Sequence, residues 1–269
     1  MENPNYISSL QNPKLKRILQ LQEKSRNRKK ESVFVVEGKR EIDLLIKANY
    51  RIEELFYCEA FHEEDDLSEL LTLVKANYPI SKEAYQKIAY RGSTEGIIAI
   101  VKSKNHNLDK LVFTSNNPLI LVAEAPEKPG NIGAILRTAD AANIDAVIIA
   151  NPKTDLYNPN IIRSSVGTVF TNQLATANSA DVIAYLKENQ FEIYSAILQD
   201  AVSYLTPNYQ TKCAIIVGTE ADGLTDEWRE ASTENIIIPM QGKIDSMNVS
   251  VATGILLFEA VRQRNRNQN

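Results

Sequence analysis

The sequence predicts an α/β protein of two domains, a small α/β domain over 1–105 and a larger domain over 116–269 built on a mainly parallel sheet. Three observations predict it. Short apolar runs at 118–124, 145–150, 192–198, 213–218 and 235–239 are separated by helix-length segments, the pattern of parallel strands covered on both faces. The stretch KSKNHNLDK at 102–110 is polar, lacks periodicity and joins two apolar regions, so it marks a boundary. A length of 269 residues is enough for two cores of ordinary size.

Each element has a local cause. Asn12 followed by Pro13 reads as a cap and a first-turn proline, opening a helix with an apolar stripe of Leu15, Ile18, Leu19 and Leu21. SVFVVEG at 32–38 reads as a strand and leads into a helix through Glu41, Leu44, Leu45 and Ala48. A strand follows at 52–57, then an acidic helix over 62–76, a helix over 81–90 and a strand over 96–102.

The C-terminal domain repeats one plan in three blocks, 117–150, 213–228 and 236–264: strand, glycine-bearing loop, helix. In the last block Ile236 to Ile238 read as a strand, Pro239 ends it and Gly242 permits a turn. A helix then starts at Val249. Its apolar residues, interrupted only by Ser250, Thr253 and Glu259 at first, predict burial of most of its circumference.

Composition excludes several classes. The content of 43% hydrophobic and 24% charged residues describes a globular protein, and no stretch approaches the ~20 apolar residues of a membrane span. MENPNYISSL has no signal-peptide apolar core, so the cytoplasm is expected. Cys58 and Cys213 are isolated, which predicts neither a disulfide framework nor a metal site. The net charge of −4 conceals an asymmetry: residues 12–40 carry ten basic side chains against three acidic ones, a local +7 that leaves −11 elsewhere. A basic arm on an acidic body fits a localised RNA contact, although a solvated helix face would give the same run.

The loops carry the candidate chemistry. Ser246 and Asn248 stand at the mouth of the last helix, where hydroxyl, amide and free backbone N–H groups make a ligand site; capping alone also accounts for them. In the first block Pro129 and Gly130 turn the chain and Asn131 opens a helix. Arg137 follows among Ile132, Ala134, Ile135 and Leu136, where a guanidinium needs an anionic partner or a cleft. In the second block Gly218 leaves a buried strand and allows close backbone approach, and Glu220 stands at the strand's exit.

In order and in internal spacing, the three blocks resemble the three motifs of the SpoU (TrmH-like) RNA ribose 2′-O-methyltransferases, a branch of the SPOUT superfamily. The segment FVVEGKREIDLLIKA resembles the early strand and helix of the ribosomal-protein-like substrate-binding domain that members commonly carry. The resemblance implies S-adenosylmethionine as cofactor, held by Gly218, Ile238 and Met247. It implies a catalytic side lined by Asn131, Arg137, Glu220, Ser246 and Asn248, with Arg137 binding substrate phosphate and assisting loss of the 2′-hydroxyl proton. It further implies an α/β trefoil knot, a homodimer, and RNA as partner, ribosomal RNA ahead of transfer RNA. Three positions depart from the family pattern: Thr219 replaces a usual asparagine, Met247 a leucine and Lys128 an aspartate.

Two rivals belong to other classes. A dinucleotide-binding oxidoreductase needs G-x-G-x-x-G and an acidic residue ending the next strand, and both are missing around Gly130 and in VIIANPKTD. A non-catalytic RNA-binding protein of the same fold is disfavoured by retention of Asn131, Arg137, Glu220, Ser246 and Asn248 together.

Overall fold

A computed structural model describes residues 4–62, 67–92, 95–219, 223–243 and 246–265. The chain forms two units, Met1–Asn105 with Asp155–Thr171, and His106–Thr154 with Asn172–Asn269. Among the described residues no helix is long and apolar enough to cross a membrane.

The first unit opens with α1 (Pro13–Glu23), capped by Asn12 Oδ1, which accepts the Lys14 N–H at 2.9 Å. Leu15, Ile18 and Leu21 are its buried stripe. After α2 (Ser25–Glu31) come β1 (Val33–Glu37), α3 (Lys39–Lys47), β2 (Ile52–Tyr57), α4 (Ser68–Leu73), β3 (Asn77–Pro79), α5 (Lys82–Ile88) and β4 (Ile97–Lys102). The sheet order is β1-β4-β2-β3, with β4 antiparallel to both neighbours and β3 parallel to β2. The acidic helix expected over 62–76 is shorter, and residues 63–66 lie outside those described. The edge strand β3 spans three residues and contains a proline, which leaves no apolar run to recognise.

The second sheet uses β5 (Leu119–Glu124), followed by α6 (Pro129–Ala141) and β6 (Ala146–Ala150). The chain then forms α7 (Pro159–Ser164) and α8 (Thr168–Thr171) before β7 (Leu174–Ala177), α9 (Ser179–Glu188), β8 (Glu192–Ala196) and β9 (Val202–Ser203). It finishes with β10 (Cys213–Val217), α10 (Asp226–Ala231), β11 (Glu234–Ile237) and α11 (Val249–Asn265). The order is β7-β6-β5-β10-β8-β11-β9, parallel throughout. Central β10 places Ile215 beside Leu121 and Tyr194 and is buried along its length. The edge strands β7 and β9 are short and partly exposed, so no apolar run announced them.

Residues 155–171, expected with 116–269, belong to the first unit. There Tyr157 stacks on Phe34 at 3.9 Å between ring centroids, and the Arg28 guanidinium pairs with Asp155 at 2.5 Å while donating to the Leu21 and Gln22 carbonyls. Aromatic packing and one buried ion pair recruit a segment that sequence order assigns elsewhere.

The expectation for α11 also needs correction. Its polar Thr253 and Glu259 are buried, whereas Val251 and Phe258 are 54% and 49% exposed. Thr253 satisfies itself by donating to the Val249 carbonyl at 2.8 Å, and Glu259 accepts from Arg262 and Gln263. Local hydrogen bonds allow those polar groups inside and leave an apolar stripe outside.

Candidate functional site: a cleft at the carboxyl ends of parallel strands

Because β8, β10 and β11 run parallel, their carboxyl ends open on one side, the usual position for a ligand in an open α/β sheet. A cleft of ≈ 470 Å³ lies there, within the range of sites for small molecules. Its walls include Ile197 and Leu198 after β8, Ile236 in β11, and Leu256 on α11. Gly218, Ile238, Met247 and Ser246 all line it, although a helix and a strand separate Gly218 from the other three.

Gly218 has a steric reason to be glycine. A methyl group there would sit 2.7 Å from the Leu224 nitrogen and nearer still to the Gly223 carbonyl group. The close approach arises because Thr219 and Gly223 exchange backbone hydrogen bonds at 3.1 and 3.2 Å, with Gly223 at φ +68°. The departure from asparagine at Thr219 therefore leaves a closed backbone turn. Glu220 lies outside the described residues.

Asn248 performs two tasks. As the cap of α11, its carbonyl accepts from Val251 and Ala252 at 3.0 Å, and its Oδ1 accepts the Ser250 N–H at 2.9 Å. Its Nδ2 donates to Asn131 Oδ1 at 3.3 Å, joining the first and third blocks across 117 residues. Helices α6 and α11 run side by side, with Gly254 opposite Thr138, so their N-termini adjoin and their positive dipole ends add.

Arg137 lies between one and two turns beyond Asn131, about 9 Å along the α6 axis. The helix buries Ile132, Ile135, Leu136 and Ala139 on one side, and Arg137 is exposed on the other. Among the described residues it has no ion-pair partner.

The basic arm is divided between structure and surface. Lys14 pairs with Glu54 at 2.6 Å, Arg17 with Glu31 at 2.8 Å and with Glu54, and Arg28 with Asp155. Lys24, Arg26, Lys29 and Lys30 remain exposed on and beside α2. The sequence pattern marks Glu124 only as the acid ending an apolar strand, yet it is buried next to the loop that bounds the cleft.

A cleft at the carboxyl ends of parallel strands, walled by the close backbone at Gly218 and by the first turns of α11, defines a small-molecule binder of α/β class. Residues 118–258 match the model of the SpoU rRNA Methylase family, and residues 12–99 match the MRM3-like substrate binding domain. The chain belongs to the SpoU rRNA methylase family. It is 27% identical over 252 residues to the 23S rRNA (guanosine(2553)-2'-O)-methyltransferase RlmP of Bacillus subtilis (strain 168), covering 94% of this chain and 97% of that protein. It is 33% identical over 207 residues to the 23S rRNA (guanosine-2'-O-)-methyltransferase RlmB of Vibrio cholerae, covering 75% and 84%. The crystal structure of an AdoMet-bound rRNA methyltransferase from Sinorhizobium meliloti superposes with a TM-score of 0.87 at 26% identity, covering 96% of this chain and 97% of that one.

Proposed function

We propose that this protein transfers the methyl group of S-adenosylmethionine to a ribose 2′-hydroxyl of 23S ribosomal RNA, at a guanosine. The observation that carries the reading is the cleft formed by Gly218, Ile238, Met247 and Ser246 beside the Asn131–Asn248 contact. The cleft fits the cofactor: Gly218 leaves backbone where a side chain would collide, and Ile197, Leu198, Ile238 and Met247 offer apolar walls to an adenine ring. When bound, S-adenosylmethionine supplies a methyl group already activated on sulfur.

The protein then has to position and to manage one proton. Asn131 and Asn248, hydrogen-bonded to each other, offer amide groups, and Ser246 on the cleft wall adds a hydroxyl; the family resemblance adds Glu220, which lies outside the described residues. The exposed guanidinium of Arg137 clamps a substrate phosphate. Such clamping aligns the 2′-oxygen for in-line attack and stabilises charge developing on it. Residues 116–269 carry this chemistry, and residues 1–105 deliver RNA through Lys24, Arg26, Lys29 and Lys30.

Two finer features go with the reading. The chain crosses from β11 back to α11 beside α6, a path that supports a knotted C-terminal segment. Val251, Ile255 and Phe258 share one face of α11 at helical spacing, which supports a homodimer through that face, with Arg137 nearby on α6. The expected compartment is the cytoplasm.

The test is transfer of labelled methyl from S-adenosylmethionine to deproteinised ribosomal RNA and, separately, to transfer RNA. Label in the ribosomal pool alone supports the reading. Label only in transfer RNA moves the substrate, and cofactor binding that is absent altogether returns the protein to non-catalytic RNA binding.

A further inference from the structure

Gly223 and Leu224 bound the cleft, and Thr225, directly after them, is tied to a buried acid. Glu124, the last residue of β5, is 2% exposed. Among the described residues no lysine, arginine or histidine pairs with it. Its donors are neutral: Ser179 Oγ at 2.7 Å, the Thr225 N–H at 3.2 Å and the Thr225 hydroxyl at 3.3 Å. Ser179 Oγ in turn accepts from Asn151 Nδ2 at 2.8 Å and from the Trp228 indole at 3.3 Å.

Burying a carboxylate without a cation is costly, and neutral donors recover only part of that cost. For stability alone, an apolar residue at the end of an apolar strand would serve better. The acid's use lies in what it holds. Directly after Glu124 the chain turns at Ala125, φ +44°, toward Pro129 and Asn131. Across 101 residues its oxygens fix Thr225, the residue that follows Leu224 of the cleft wall. One carboxylate, at the point where the chain leaves β5 for α6, therefore holds the residue that follows the cleft wall.

We propose that Glu124 is a positioning residue, which sets the Gly223–Thr225 backbone so that the cleft receives S-adenosylmethionine without rearrangement. The proposal rests on the cofactor reading above. Glu124 acts through Thr225 and does not itself line the cleft. Preorganisation of this kind appears as affinity, because ordering the loop no longer opposes binding.

The chain has one tryptophan, Trp228, and it sits in the network, so its emission reports on the clamp. S-adenosylmethionine is titrated into the full-length wild type, Glu124→Gln and Thr225→Val, with Trp228 fluorescence and calorimetry as parallel readouts and thermal melting as control. Glu124→Gln keeps size and removes charge; its Kd should rise about tenfold, the worth of a charge-assisted hydrogen bond. Its melting temperature should equal or exceed that of the wild type, and its ligand-free Trp228 emission should shift. Thr225→Val removes the hydroxyl without costing α10 a cap, since that side chain makes no cap bond, and its Kd should rise in the same direction. If Glu124→Gln does not fold, Thr225→Val decides by itself. A wild type that binds with variants that bind equally well overturns the proposal alone. A lowered melting temperature with unchanged Kd also overturns it, leaving Glu124 a purely structural group. A wild type that binds no S-adenosylmethionine overturns the cofactor reading together with the proposal.

Discussion

Substituting Gly218 by alanine probes the cleft with a single methyl group. The added carbon would lie 2.7 Å from the Leu224 nitrogen and closer to the Gly223 carbonyl, and both obstacles are backbone. A flexible side chain could swing aside, but here the turn closed by the Thr219–Gly223 hydrogen bonds has to move. Overpacking of this kind costs about 1–3 kcal/mol. The turn is anchored at Thr225, so relief comes by displacing Gly223 and Leu224, which line the cleft. If the whole cost falls on the ligand-competent conformation, the Kd for S-adenosylmethionine rises ~5- to 150-fold. Calorimetric titration measures it, with the melting temperature falling by at most ~10 °C. A Gly218→Ala protein that binds with wild-type affinity would refute the steric argument.

Other outcomes follow from the same geometry. Arg137→Ala should keep cofactor affinity and lose methyl transfer on the order of 10²-fold, since one positioned charge is removed; wild-type turnover would take Arg137 out of the mechanism. Replacing Lys24, Arg26, Lys29 and Lys30 together by alanine should lower the salt slope of RNA binding by about 3, measured as log affinity against log salt, because each cation contributes about 0.7 to the slope on a single strand. An unchanged slope would remove α2 from the RNA surface. Replacing Val251 and Phe258 together by aspartate should halve a mass of about twice the 30.1 kDa chain in light scattering, and wild-type protein of single-chain mass would contradict the dimer. Burial pushes the Cys213 thiol up to about 11 although Arg264 opposes the shift, and burial raises Cys58 as well. Both thiols should therefore resist alkylation in native protein at pH 8 and react after denaturation; fast native labelling would show that the sites open.

Much of this architecture is legible in the residues. Apolar runs such as CAIIV and LILVAE announce buried parallel strands, and the glycine at the exit of CAIIV marks where backbone must approach backbone. Ser246, Met247 and Ile238 could be grouped with Gly218 only through the family resemblance, because the fold that joins them at one cleft has no local signature. Long-range partnerships were hidden for the same reason. Nothing in DLYNPNIIRSSVGTVFT indicates that Tyr157 stacks on Phe34, and nothing in LILVAE indicates that its final acid holds Thr225. Periodicity also misjudged α11, because Thr253 and Glu259 find partners within their own helix and are buried while Val251 and Phe258 face outward.

The central claim is tested most directly by the position of the methyl group in the product. Ribosomal RNA labelled from S-adenosylmethionine is hydrolysed with alkali, which cleaves after every nucleotide whose 2′-oxygen is free. The account predicts label confined to an alkali-resistant dinucleotide whose 5′ residue is guanosine, and loss of that label with Arg137→Ala. Label released as an ordinary mononucleotide would place the methyl on a base and contradict it.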